Sequence, residues 1–152
     1  MIVSEIVALG ALWALQAPAR PPAIVFVCEH GAAKSVIAAA YFNRLAAERG
    51  LPYRATFRGT HPEPSLSTRA VEGLRADGLA VPTGTPTALV QKDIDNATHI
   101  FAIGCALPDN ARRSGKTNDW SDVPESNGYA ATRDAIVRHV TELVDTLQAQ
   151  RN

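Results

Sequence analysis

An unbroken apolar run rich in β-branched side chains, Ile24-Val25-Phe26-Val27-Cys28, leads within two residues into Gly31-Ala32-Ala33 and then a helical repeat. A run with no polar alternation reads as a strand covered on both faces, as in a parallel sheet. From Ser35 onward, Ile37, Ala40, Tyr41 and Leu45 recur at spacings of three and four, which predicts a helix stopped by Gly50 and Pro52. Parallel strands require crossover connections, so this strand–turn–helix unit points to an α/β layout.

The rest of the chain continues the alternation. Residues 53–58 predict a second strand. Ser65 or Ser67 predicts the cap of a helix through Val71 and Leu74 that ends near Gly78. Residues 79–81 predict a third strand or extended piece, 90–96 a short helix, and 98–103 a strand running into Gly104-Cys105. Residues 108–128 carry Pro, Asn, Gly and Ser throughout and read as a long loop, of the kind that is functional or disordered. Ile136, Val140, Leu143, Val144 and Leu147 share one face of a closing helix over 130–147. This order predicts a parallel sheet with helices on both faces, ligands lying beyond the carboxyl ends of the strands. Cys28, Gly59-Thr60 and Cys105 all fall there.

The length of 152 residues fits a single domain, expected over 23–150. Lys plus Arg balances Asp plus Glu at 15 each, which gives no reason to expect nucleic acid as a partner. A small anion is a different matter, because it needs only one well-placed cation. Two cysteines are too few for a disulfide framework or a structural zinc cluster, and His61, His99 and His139 are scattered over different elements, so no metal is expected.

Residues 1–20 stand apart. Residues 6–15 are apolar and Ala17-Pro18-Ala19 follows, a pattern that resembles a secretory signal peptide ending after Ala19. The alternative is a disordered extension, because no Lys or Arg precedes the run and Glu5 stands where a positive charge is preferred. A cleaved signal would make the protein periplasmic or secreted; otherwise it is cytoplasmic. The run is too short for a stable membrane span.

The segment from Cys28 to Ser35 carries the chemistry. It leaves a strand and enters a helix N-terminus, where unpaired backbone N–H groups and the helix dipole favour an anion. Gly31, Ala32 and Ala33 are small enough for Glu29–Ala33 to wrap a tetrahedral oxyanion, and Lys34 adds a positive charge. These features favour thiolate over thiol at Cys28, and Ser35 can hydrogen-bond the sulfur. A nucleophile beneath a bound phosphate is the requirement for covalent phosphoryl transfer. The bland alternative is a small buried residue at a strand end. A nucleotide-binding P-loop needs glycine directly before the lysine and another five positions earlier. Ala33 precedes Lys34, and Gly115-Lys116-Thr117 has Asn110 at the earlier position, so both segments fail that pattern.

The loop resembles the Cys-x5-Arg-Ser signature of the low-molecular-weight protein tyrosine phosphatase family, which includes thiol-dependent arsenate reductases. The resemblance extends through Ala38-Ala39-Ala40-Tyr41-Phe42, Arg58-Gly59-Thr60, Pro64, the Ala70–Gly78 helix and Trp120-Ser121-Asp122-Val123-Pro124 before Arg133-Asp134. It implies a three-layer α/β/α fold with a central parallel four-stranded sheet, phosphotyrosine protein phosphatase I-like. It also implies phosphomonoester hydrolysis through a phosphocysteine on Cys28, with no cofactor. Two positions depart from the family: Lys34 replaces the arginine, exchanging a bidentate fork for a point charge, and Gly31 replaces an asparagine. Arg58 or His30 is a candidate to compensate.

The family's general acid precedes the last helix. Asp122, after Trp120, is the first candidate here, and Glu125, directly after Pro124, the second. Some thioredoxin-coupled arsenate reductases carry a redox cysteine where Cys105 stands. No later cysteine follows, so arsenate reduction here implies an external thiol reductant. Cys105 as a plain buried residue is the other reading. Three functions follow: hydrolysis of a phosphorylated substrate, arsenate reduction, and binding of a small oxyanion without catalysis.

Overall fold

The apolar run is strand β1, Ala23–Cys28, and the helical repeat after the small residues is α1, Lys34–Glu48. The computed structural model describes residues 20–124 and 128–152. The signal-like segment and Glu125 lie outside the described residues. After α1 the chain forms β2 (Arg54–Gly59), α2 (Thr68–Ala76), α3 (Gln91–Asn96) and β3 (Ala97–Ala102). It closes with α4 (Asp109–Arg112), β4 (Thr117–Asp119) and α5 (Tyr129–Ala149).

The strands form one four-stranded sheet in the order β2-β1-β3-β4, each pair parallel. β1 is central, and its alternate residues feed two separate cores. Ile24, Phe26 and Cys28 face the layer of α1 and α5, together with Phe42, Ile136 and Val140. Val25 and Val27 face the other side, with Ile94 of α3 and Ala111 of α4. This double coverage is why the run shows no polar alternation. Phe26 anchors the larger core, its ring centroid 5.4 Å from those of Phe101 and Trp120. Burial of one such ring stabilises by about 2–3 kcal/mol.

Two sequence expectations change. Residues 79–81 join no strand ladder. The fourth strand is instead β4, inside the stretch predicted to be a long loop, and it pairs Ile100 with Thr117 and Ala102 with Asp119. The reason is compositional. Thr117, Asn118 and Asp119 form a short, polar, mostly exposed edge, so they show none of the apolar pattern that marks a buried strand. Among the described residues no helix is long and apolar enough to cross a membrane.

The strand order sets where a ligand can enter. From β1 the chain passes to β2 on one side, and from β2 it crosses to β3 on the other. The crossovers diverge at the carboxyl end of β1, and in such sheets that divergence opens a crevice. Cys28 is the last residue of β1.

Candidate active site

The loop after Cys28 is fastened through its carbonyl groups. Those of Cys28, Glu29, His30 and Ala32 accept hydrogen bonds from the backbone N–H groups of Thr60, His61, Glu63 and Ser67, at 3.1, 2.7, 3.1 and 2.9 Å. In a trans peptide the C=O and the following N–H point opposite ways. The N–H groups of Glu29, His30, Gly31 and Ala33 therefore face away from the 60–67 segment. Loop N–H groups left facing away from the protein's own carbonyls are the kind that anion-binding nests use.

Helix α1 adds to it. Its N-cap is Ala33, which forms no side-chain cap bond. A Ser or Asp at that place would have been worth about 1 kcal/mol, but it would have filled the position with its own oxygen. The first-turn N–H groups are left without that side-chain cap, as anion sites at helix N-termini require.

Gly31 has φ +61°, a left-handed conformation accessible to glycine and, among side-chain-bearing residues, most readily to asparagine and aspartate. This accounts for glycine standing where the resembling family has asparagine. The backbone of Gly31 also lies directly on Gly59, where β2 ends.

Cys28 is 3% exposed and Ser35 fully buried, with Sγ and Oγ 3.2 Å apart. The Ser35 hydroxyl is placed to donate to the sulfur. Both sit at the junction of strand, loop and helix, so three elements fix their geometry. Above them is a cavity of about 290 Å³, lined by Cys28, His30, Ala33, Lys34, Glu63 and Ser67 among others. Lys34 is the first residue of α1 and is one of these lining residues. Glu29 completes an acidic rim: His30 Nδ1 lies 3.5 Å from Glu63 Oε1 and His30 Nε2 lies 3.9 Å from Glu29 Oε2. Both carboxylates are more than half exposed, which leaves them largely screened by solvent. Sequence reasoning missed Glu63. Its only signal is its place after Pro62 in a loop that the topology carries back to Cys28.

Three other candidates lie elsewhere. Arg58 does not line the cavity: its Nε and Nη2 donate to the two oxygens of Asp93, each at 2.9 Å, and Nη1 donates to Phe57 O. Asp93 also accepts from the Val90 N–H at the start of α3, so this pair secures β2 to α3. The idea that Arg58 offsets the loss of a loop arginine is thereby corrected. Asp122 is likewise not among the residues of the cavity. Both its oxygens lie within 3.0 Å of His139 Nε2, and His139 stacks on Trp120 with centroids 4.7 Å apart. Asp122 thus pins the segment after β4 to α5.

Cys105 lies beyond the end of β3, and it is Gly104 that reaches the Cys28 cavity. Its thiol points to Val27 O at 3.5 Å and lines a neighbouring, larger cavity of about 440 Å³ that contains neither Cys28 nor Lys34. Burial, then the nearby Cys28, push the Cys105 thiol up to about 11. Both cysteines are free. Among the described residues no group of His, Cys, Asp and Glu is placed to hold a metal ion.

The framework behind the loop centres on Asp77, at the end of α2. Its carboxylate accepts from Tyr41 OH and Tyr129 OH, each at 2.7 Å, and from Arg133 Nη1 at 2.9 Å. Burial alone would raise this carboxyl, but the three hydrogen bonds and the guanidinium charge outweigh it and hold it below the usual carboxylate range. Tyr41 is pushed up to about 12 by burial and by its bond to Asp77. One carboxylate thereby locks α1, α2 and α5 behind the loop.

Comparison with known proteins places this geometry. The family described as low molecular weight phosphotyrosine protein phosphatase matches residues 23–120, which spans the loop and all four strands but stops short of Asp122 and Glu125. No curated protein matches the chain. Among solved structures, YfkJ from Bacillus subtilis superposes with a TM-score of 0.75 at 18% identity, covering 90% of this chain and 100% of that one. The YwlE arginine phosphatase from Geobacillus stearothermophilus gives 0.73 at 22%, covering 86% and 96%. A thioredoxin-dependent arsenate reductase from Corynebacterium glutamicum gives 0.71 at 20%, covering 88% and 65%. At these identities the structures establish the fold. With the family match over most of its length, the chain belongs to the low-molecular-weight phosphotyrosine protein phosphatase family.

Proposed function

We propose that this protein hydrolyses phosphomonoesters through a covalent intermediate on Cys28. The Cys28 thiolate attacks phosphorus, the bond to the ester oxygen breaks, and that oxygen leaves with a proton. Water then attacks the phosphocysteine, releasing inorganic phosphate and restoring the thiolate. The observation that carries this reading is the Cys28–Ser35 contact at the base of a loop whose carbonyls are turned away. The backbone N–H groups stabilise the equatorial oxygens, and preorganised donors of this kind supply the largest share of such catalysis. Lys34 supplies charge and Ser35 stabilises the sulfur as a leaving group.

The proton donor is a carboxylate of the segment before α5. Glu125 is the better assignment, because it follows Pro124 and because Asp122 is already engaged by His139.

The test compares wild type with Cys28→Ser on an aryl phosphate. Turnover in the wild type and loss of about a thousandfold or more in the variant is expected. Absence of wild-type turnover from acidic to neutral pH rejects hydrolysis. If inorganic phosphate still binds, the protein is an oxyanion-binding module. If arsenite forms from arsenate only with added thiol, it is a reductase working with an external thiol.

A further inference from the structure

The Cys28 cavity is graded in depth and in charge. Cys28 is 3% exposed and forms its floor, while Glu29, His30 and Glu63 are each more than half exposed and border it on the solvent side. Among the residues lining the cavity, the side chains charged at neutral pH are Lys34, Glu29 and Glu63. Backbone bonds hold the two glutamates in place. Glu63 N–H donates to His30 O at 3.1 Å, and Glu29 O accepts from His61 N–H at 2.7 Å. The carboxylates stand one towards each nitrogen of the His30 ring, Glu63 at 3.5 Å from Nδ1 and Glu29 at 3.9 Å from Nε2.

This order matters for a phosphoester. Its phosphoryl group belongs at the floor, beside Cys28 and Ser35, so its carbon part has to extend towards solvent past the two carboxylates. A cavity of about 290 Å³ spans about 8 Å, roughly one Debye length, so the carbon part lies in the field of both whichever way their side chains turn. Carboxylates bordering an anion site weaken the binding of a plain phosphate. That cost is offset when the substrate brings a positive charge to meet them. The imidazole between them cancels part of their charge only when protonated, as ordinary imidazoles are in mild acid.

We propose that Glu29 and Glu63 make this site selective for phosphoesters whose organic part carries a positively charged nitrogen, an ammonium or a guanidinium, and selective against those carrying a second anion. This rests on the phosphoryl-transfer reading above and names the substrate class it serves. Exposure keeps each pairing weak, about twofold, but both carboxylates act on the same group, so together they give about fivefold.

The test is calorimetric binding of phosphonates that cannot be hydrolysed, at about pH 8, where an ordinary imidazole is neutral. The probes are para-(aminomethyl)benzylphosphonate, its neutral isostere para-ethylbenzylphosphonate, and para-(carboxymethyl)benzylphosphonate. In the wild type the ammonium compound binds about fivefold tighter than the ethyl compound, and the carboxylate compound binds weakest. Glu29→Gln and Glu63→Gln, both exposed changes outside the core, each lower the ammonium preference about twofold, and the double variant brings it close to one. Raising salt from about 50 mM to about 500 mM also moves the wild-type preference towards one. A wild-type preference of one or below, or a preference that neither the double variant nor salt alters, overturns the selectivity and leaves the phosphoryl reading standing. If none of the phosphonates binds, the phosphoryl reading fails and the selectivity falls with it.

Discussion

Gly31 and Gly59 meet backbone to backbone: a Cβ on either would lie 2.8 Å from the main-chain nitrogen of the other. The Cys28 loop and the end of β2 can approach this closely only because both positions lack a side chain. The same approach brings the loop carbonyls within reach of the 60–67 segment. Gly59→Ala should therefore cost about 1–3 kcal/mol by overpacking against backbone that cannot yield. It should also abolish oxyanion binding by displacing the loop. Denaturant unfolding and phosphate titration measure the two effects, and unchanged values for both would contradict this packing.

Asp77 predicts an acid-sensitive limb of stability. Its folded-state carboxyl lies below its ordinary value of 3.8. The stabilisation is complete above that value and is lost as pH falls through the lower folded-state value. Asp77→Asn should lower stability at neutral pH by about 1–3 kcal/mol, through loss of charge-assisted bonds from two tyrosines and an arginine. The difference from wild type should shrink as the medium is acidified. Urea unfolding at neutral pH and near pH 3 tests this, and a constant difference would count against it.

The two carboxylates before α5 should separate by leaving group. Glu125→Gln should slow phenyl phosphate hydrolysis by about a hundredfold, the usual contribution of a general acid. It should slow p-nitrophenyl phosphate much less, because that oxygen leaves without help. Asp122→Asn should change either rate less than about threefold while lowering the melting temperature, because it releases the exposed His139 bond. The reverse ranking would make Asp122 the proton donor.

Lys34→Arg should raise kcat/KM for an aryl phosphate by about tenfold, the worth of one further charge-assisted hydrogen bond from a bidentate fork. Steady-state kinetics decide it. A fall would mean that the cavity is shaped for an ammonium.

The strand–loop–helix unit was legible because its physics is local. An apolar run, small loop residues and a helical repeat each point to one structure, and Cys28, Lys34 and Ser35 fall where that unit puts them. The partners of charged groups were not legible. Arg58 lies 35 positions from Asp93, and Asp122 lies 17 from His139. Nothing local distinguishes a charge that will hold two elements together from one that will face a ligand. The Asp77 centre draws on Tyr41, Tyr129 and Arg133, up to 56 positions away, so only the packing of three helices reveals it. Strand β4 escaped for the opposite reason: its edge position demands no apolar pattern at all.

The most direct test is to quench the wild-type protein with acid during turnover of an aryl phosphate and weigh it by mass spectrometry. A gain of one phosphoryl group, mapped to the peptide holding Cys28 and absent from Cys28→Ser, is the predicted result. Turnover that persists in Cys28→Ser, with no phosphoryl group on that peptide in the wild type, would contradict the account.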